Sequence, residues 1–280
     1  MKKYLLIALL LQISTQFSPA KADSTASSFN VTHGNKNKWE LRKAGVIELI
    51  KEMKSDICCL QEVIDANNQL NSIKDALPNY GYVGEKRNSH IKGLSAWLRL
   101  TSFFAQDEYC PIFYNQEKME LKEAKTFGIN GEGSYLPRIC VRARFKELAT
   151  GKEFYVYNTH LDHKYEDVRT MQAKLIAKDI TKECGNRPVI LMGDFNTEFN
   201  KDMKKILTEN GFTHAKTVAN KVEGPEVTHE RGSTKQLIEC DYIVIKPKDK
   251  FNVILYKTFD TMSEKTSDHN PVSMTFSLNE

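Results

Sequence analysis

The 280-residue chain contains no uninterrupted apolar run of 18 residues, which excludes a spanning helix recognisable by hydropathy. Its six cysteines form no Cys-x-x-Cys pair and no Cys/His array at zinc spacing, so neither a zinc module nor a dithiol redox centre is written into it. Gly-x-Ser-x-Gly, His-Glu-x-x-His and Gly-x-x-x-x-Gly-Lys-Ser/Thr are all missing, which removes the serine-hydrolase elbow, the zinc-protease helix and the nucleotide-cradling P-loop. There is no linker, internal repeat or low-complexity tract. A large charge excess is missing too: 40 basic and 36 acidic residues leave a net charge of +4.

What is present begins with Lys2-Lys3, an apolar stretch from Tyr4 to Ile13 and the small-residue site Ala20-Lys21-Ala22. This is the pattern of a secretory signal peptide over residues 1–22, cleaved after Ala22, and it predicts a secreted or periplasmic protein. Loss of Lys2, Lys3 and Lys21, with no acid among them, lowers the formal charge from +4 to +1. A near-neutral chain lacks the overall basic footprint of a polyanion binder, so only a local patch could serve that purpose. Residues 23–280 read as a single domain. Export would place Cys58, Cys59, Cys110, Cys140, Cys184 and Cys240 where disulfides persist, and spacing leaves buried thiols and one or two bridges equally open.

Apolar β-rich runs alternate with amphipathic segments. Strands are expected near 27–32, 56–61, 109–114, 139–145, 154–159, 189–192, 242–245, 253–256 and 272–276, and helices near 39–53, 65–76, 165–183 and 200–209. Many strands with interposed helices predict sheets covered by helices on their outer faces. Cys58 and Cys59, adjacent in one strand, should point to opposite faces.

Polar groups stand at the ends of these strands: Glu62 after Asp-Ile-Cys-Cys-Leu-Gln, His160 after Phe-Tyr-Val-Tyr-Asn-Thr, Asp194 and Asn196 after Val-Ile-Leu-Met-Gly, and Asp268-His269 before the last strand. A single strand-end Asp or His is usually a turn former. Together they form a set suited to phosphoester hydrolysis. Hard carboxylate and amide oxygens match Mg²⁺, a carboxylate can activate water, and a histidine can move protons.

Ser28-Phe29-Asn30-Val31, Leu60-Gln61-Glu62-Val63, Asn158-Thr159-His160-Leu161-Asp162-His163, Gly193-Asp194-Phe195-Asn196, Asp241-Tyr242-Ile243 and Ser267-Asp268-His269 resemble, in order, the successive motifs of the endonuclease/exonuclease/phosphatase superfamily. Trp39-x-x-Arg42 and Glu108-Tyr109-x-Pro111-Ile112-Phe113-Tyr114 are similar to a secreted bacterial branch related to the deadenylase-like members. The resemblance implies a four-layer α/β sandwich: two packed, mainly antiparallel β-sheets flanked by helices, with the site at one end. It implies a metal set of Asn30, Glu62 and Asp268 for Mg²⁺, with Mn²⁺ as a substitute. Asp194 would activate water and Asn196 would hold the phosphate. Glu108 would orient His160, Asp241 would orient His269, and Arg138 would face the substrate phosphate. Asp162 and His163 are expected to be local structural residues, and His33 and His90 surface residues. Thr228 and His229 match a related motif without an assigned role.

Two stretches depart from the family pattern. Residues 85–107 replace a short glycine- and aspartate-rich segment, with Leu94, Trp97, Leu98, Leu100, Phe103 and Phe104 at helical spacing. A membrane contact through 94–104 and a helix packed on the core both fit that spacing. Thr126-Phe127-Gly128-Ile129 stands where relatives tend to carry tryptophan. The function expected is a secreted, monomeric, metal-dependent phosphodiesterase, nuclease or phosphatase acting on nucleic acid or a small phosphorylated molecule. The alternatives are a phospholipid-headgroup phosphodiesterase and a non-catalytic binding protein or toxin subunit on the same fold.

Overall fold

The computed structural model describes residues 23–32, 39–64, 68–90, 108–130, 136–231, 234–261 and 266–280. The signal segment, His33 and the 91–107 stretch, with its expected helix and membrane contact, lie outside the described residues. The strands are β1 Ser24–Asn30, β2 Ile57–Gln61, β3 Val63–Ile64, β4 Tyr80–Val83, β5 Glu108–Tyr109, β6 Ile112–Asn115, β7 Met119–Gly128, β8 Ile139–Glu147 and β9 Glu153–His160. They continue as β10 Val189–Asp194, β11 Thr213–His214, β12 Lys221–Glu223, β13 His229–Glu230, β14 Leu237–Ile238, β15 Asp241–Lys246, β16 Phe251–Thr258 and β17 Val272–Leu278. Among the described residues four α-helices accompany them: α1 Trp39–Glu52, α2 Gln69–Ala76, α3 Glu166–Cys184 and α4 Lys201–Glu209.

Two sheets dominate, in the orders β12-β16-β17-β1-β2-β6-β4 and β11-β15-β10-β9-β8-β7. Most neighbours are antiparallel; β1–β2, β9–β10 and β12–β16 are parallel. The alternation of side chains along each strand sorts the core into three apolar layers. Ala26, Ile57, Cys59, Ile112, Val141, Val156, Met192, Ile243 and Met274 fill the space between the sheets. Tyr157, Leu191 and Val244 face α3 and α4 through Ala173, Ile176, Met203 and Leu207. Phe29, Cys58, Leu60 and Phe113 face α1 and α2 through Val46, Ile50, Leu70 and Ile73. Helix, sheet, sheet, helix is the four-layer sandwich expected, and Cys58 and Cys59 do part to opposite faces. All six cysteines are buried free thiols.

The structure adds the short strands β3, β4 and β11 to β14 to those expected, and differs more substantially in two places. The run expected as one strand over 109–114 is divided into β5 and β6 at Cys110-Pro111. Proline has no N–H for a ladder, and its carbonyl instead accepts Leu60 N at 3.0 Å. The ten-residue β7 had no counterpart in the reading, because it is an edge strand whose side chains are largely exposed and charged.

Candidate active site

The inward-facing side chains of β10 and β15 run apolar to the same end of the sandwich, where Asp194 and Asp241 stand beside Asn30 of β1 and His160 of β9. The parallel β9–β10 register pairs Asp194 with His160, and the antiparallel β10–β15 register pairs Asp194 with Asp241. Gly193 makes that approach possible. It has φ +149°, and a Cβ there would lie 1.9 Å from the Thr159 carbonyl oxygen. Behind it, Phe195 stacks on Tyr242 with ring centroids 4.0 Å apart, which anchors the loop carrying Asn196.

Asp194 is the hub. Its Oδ2 accepts Asn30 Nδ2 at 3.0 Å and lies 3.5 Å from His160 Nε2 and 3.8 Å from His269 Nε2, while Oδ1 accepts the Asn196 backbone N–H at 2.8 Å. Burial works against its ionisation, but His160, His269 and the bonds from Asn196 and Asn30 prevail and hold it below the usual aspartate range. Glu62, left-handed at φ +59°, follows β2 and turns its Oε1 to within 3.1 Å of Asn30 Nδ2 and 3.9 Å of His160 Nε2. Glu62, His160 and Asp194 each bring one ligand atom within 4.8 Å of the others, two carboxylate oxygens and one imidazole nitrogen, and the two carboxylates suit a hard divalent cation.

Asn30 is placed differently from the ligand role expected of it. A backbone N–H can only donate, and Thr32 N donates to Asn30 Oδ1 at 2.9 Å, so the amide nitrogen faces the two carboxylates. Asn30 is therefore the donor that spaces Glu62 from Asp194. Asp268 is exposed and clusters with His229 and His269. Arg42 donates to the carbonyls of Val31, Thr32 and Thr266 at 2.6–3.0 Å, tying the exit of β1 to the loop before Asp268.

Each histidine has its expected carboxylate. His269 Nδ1 is 2.8 Å from Asp241 Oδ2. Burial opposes the charge on His269, yet Asp241 and Asp194 pull it up to about 10, and burial pushes Asp241 above the usual aspartate range. Thr228 Oγ1 accepts the backbone N–H of Cys240 and Asp241 at 2.9 and 3.0 Å. His229 stacks on His269 with centroids 4.1 Å apart, so the motif left without a role supports this pair. His160 Nδ1 lies 3.4 Å from Glu108 Oε1. Burial alone would raise the Glu108 carboxyl, but Arg87 first, then His160 and Arg138, hold it down to about 2.

Arg138 is buried, with Nη1 3.7 Å from Glu108 Oε1 and Nη2 3.2 Å from His163 Nδ1. Asn196, left-handed at φ +52°, stays at the rim with Nδ2 on the Leu161 carbonyl at 3.1 Å. Asp162 is structural as expected, its Oδ1 accepting Lys164 N and Tyr165 N ahead of α3. His90 is half-buried beside Glu85. Sequence reasoning missed Arg87 and the polar plug under the site, in which Gln61 Nε2 donates to Asn158 Oδ1 at 2.7 Å and Asn158 Nδ2 donates to the carbonyls of Leu60 and Pro111. The inward parity of Gln61 and Asn158 in otherwise apolar strands was the available signal.

The model of the Endonuclease/Exonuclease/phosphatase family matches residues 27–269. The chain belongs to the endonuclease/exonuclease/phosphatase family. Members of this family are divalent-metal-dependent phosphoester hydrolases. A family protein from Bacteroides vulgatus is 29% identical, with a TM-score of 0.79 and coverage of 92% of this chain and 100% of that one. Nocturnin of Drosophila melanogaster is 27% identical over 57% of this chain and 24% of its own length. The CCR4-Not complex 3'-5'-exoribonuclease subunit Ccr4 of Aspergillus oryzae is 26% identical over 58% of this chain and 23% of its own length. The chain thus spans about a quarter of either curated relative.

Proposed function

We propose that this protein hydrolyses a phosphoester by metal-assisted attack of water, with Mg²⁺ as the cation and Mn²⁺ as its substitute. The observation that supports this reading above others is the convergence on Asp194 of Asn30, His160 and His269, with Glu62 on the other side of Asn30. Glu62 would hold the cation, with Asp268 proposed as a further ligand from the separate His229–His269 cluster, and the cation would neutralise phosphoryl charge. Asp194, kept ionised, orients and deprotonates water. His160, steadied by Glu108, and His269, kept protonated by Asp241, stabilise the phosphoryl oxygens and return a proton to the leaving group. Asn196, at the rim, would hold the phosphate.

The proposed substrate is a small phosphorylated molecule, supported by the near-neutral charge of residues 23–280. A second reading, removal of nucleotides from an RNA 3' end, draws on the Nocturnin and Ccr4 similarities. We further propose export, cleavage after Ala22 and action as a monomer; residues 1–22 support the first two by their sequence.

The test is hydrolysis by purified protein of p-nitrophenyl and bis-p-nitrophenyl phosphate, a sugar phosphate, single-stranded RNA and DNA, duplex DNA and sphingomyelin vesicles, with Mg²⁺ and with EDTA. Turnover that requires metal and falls at least about 100-fold in Glu62→Ala and His160→Ala is expected. Full biological effect in the Glu62→Ala/His160→Ala double variant would instead establish a binding protein. Preference for RNA or for the vesicles would move the substrate to those classes.

A further inference from the structure

We propose that Arg87 is the positioning residue of the Glu108–His160 pair, delivered by the turn over residues 84–90 that docks on edge strand β7. This inference rests on the hydrolase reading above. Arg87 and Glu108 have side-chain exposures of 4% and 6%, and Arg87 Nη1 meets Glu108 Oε2 at 2.7 Å. The other carboxylate oxygen, Oε1, is the one that faces His160 Nδ1 at 3.4 Å. One oxygen is thus taken by a short charge-assisted bond, and the remaining rotation of the carboxylate is stopped with Oε1 towards the imidazole. Arg138, at 3.7 Å from Oε1, is too far to do this alone. The second pair has no such device: among the described residues Asp241 has no arginine or lysine partner.

The turn carrying Arg87 is itself held on both sides. Gly84, at φ +131°, lies where a Cβ would come 3.2 Å from Pro111 Cα, so the chain leaves β4 in a conformation and a space that suit glycine. Glu85 N donates to Thr126 Oγ1 of β7 at 3.0 Å, and His90 Nε2 lies 3.2 Å from Glu85 Oε2 across the turn. A Cβ on Gly128 would lie 3.2 Å from the His90 carbonyl oxygen. Thr126 and Gly128 belong to one stretch that departs from the family pattern and residues 85–90 begin the other. The two departures are in contact, and what they jointly place is Arg87.

The experiment measures kcat and KM with Mg²⁺ on p-nitrophenyl and bis-p-nitrophenyl phosphate for Arg87→Gln, Arg87→Lys, Glu108→Gln, Arg87→Gln/Glu108→Gln and His160→Ala, with the ring N–H proton spectrum of His160 recorded alongside. Arg87→Gln should lower kcat about 10- to 100-fold with KM unchanged, as loss of an orienting partner does. Arg87→Lys should recover most of that rate. In the Glu108→Gln background, Arg87→Gln should add less than about threefold, the mark of two residues acting as one unit. The His160 Nδ1–H resonance should shift in Arg87→Gln and stay in Arg87→Lys. Wild-type kcat in Arg87→Gln, a loss confined to KM, or an equal loss with and without Glu108 would overturn the proposal. If Arg87→Gln does not fold, the cycle of Arg87→Lys with Glu108→Gln carries the same comparison. His160→Ala separates the two failures: a retained rate there sinks the hydrolase reading itself, whereas a lost rate beside an unaffected Arg87→Gln sinks only the role of Arg87.

Discussion

Asn30 and Gly193 show how much of this site is decided by single hydrogen-bond donors and single missing atoms. Asn30 separates two carboxylates by donating to both, at 3.1 Å to Glu62 and 3.0 Å to Asp194, while its oxygen is occupied by Thr32 N. Asn30→Asp keeps the Thr32 bond and turns the donor into a third acceptor between like charges. The rate of Asn30→Asp in Mg²⁺ should therefore fall at least as far as that of Asn30→Ala, roughly 10-fold or more. A wild-type rate in Asn30→Asp would show that residue 30 serves through an oxygen, as a metal ligand does. At Gly193 a methyl group would overlap the Thr159 carbonyl oxygen, so Gly193→Ala should cost about 3 kcal/mol or more in urea unfolding, since backbone on both sides would have to shift. The motif Gly-Asp-Phe-Asn is thus a glycine for strand contact, an aspartate for chemistry, a phenylalanine for stacking and an asparagine able to adopt a positive φ.

The strands differ in how far their own sequences disclose them. β9, β10 and β15 are central and largely apolar, so their composition alone marks them as strands. β7, at the sheet edge, reads Met-Glu-Leu-Lys-Glu-Ala-Lys-Thr-Phe-Gly and pairs with β8 over its full length. Its exposed side chains are charged because water covers them, and Glu123 is held across the ladder by Arg142 at 2.9 Å and Arg144 at 3.6 Å. β11, at the opposite edge, contributes His214, whose imidazole is buried among Phe199, Tyr242 and Tyr256. Burial, aided by Lys216, pushes its pKa down to about 4. The unfolded chain takes up this proton below about 6.5 and the folded one only below about 4, so the contribution is complete above pH 6.5 and declines as the pH falls across that window. His214→Phe should remove up to about 3 kcal/mol of the stability difference between pH 7 and pH 4, read by urea unfolding at both values. An unchanged difference would show that His214 is charged in the folded state.

At the scale of the molecule, the negative charges of Glu62, Asp194, Asp241 and Asp268 meet at one end of two otherwise apolar sheets, and a bound cation should stabilise the whole fold. Mg²⁺ at about 100 times its dissociation constant should add about 2.7 kcal/mol and raise Tm by roughly 5–10 °C, and Glu62→Ala should abolish the rise. The six buried thiols give a second whole-molecule expectation. Titration with a thiol reagent should find none reactive in the native protein and six after denaturation without reductant, whereas fewer than six would reveal a bridge. The amino-acid sequence by itself determined the order of the main elements and the strand-end position of most of the polar set, because periodicity and motif order are properties of neighbours along the chain. The four layers and the two histidine–carboxylate pairs were legible in it only through its resemblance to a known family. Only the tertiary structure decided that Asn30 donates to both Glu62 and Asp194, that Arg138 is buried between Glu108 and His163, that Gln61 and Asn158 bond to each other, and that Arg87 meets Glu108. Each of these depends on which of two atoms of one side chain meets a residue from another strand. A carboxylate or an amide is the same letter whichever way it is turned, and the direction is set by donors and acceptors that folding alone brings within 3 to 4 Å.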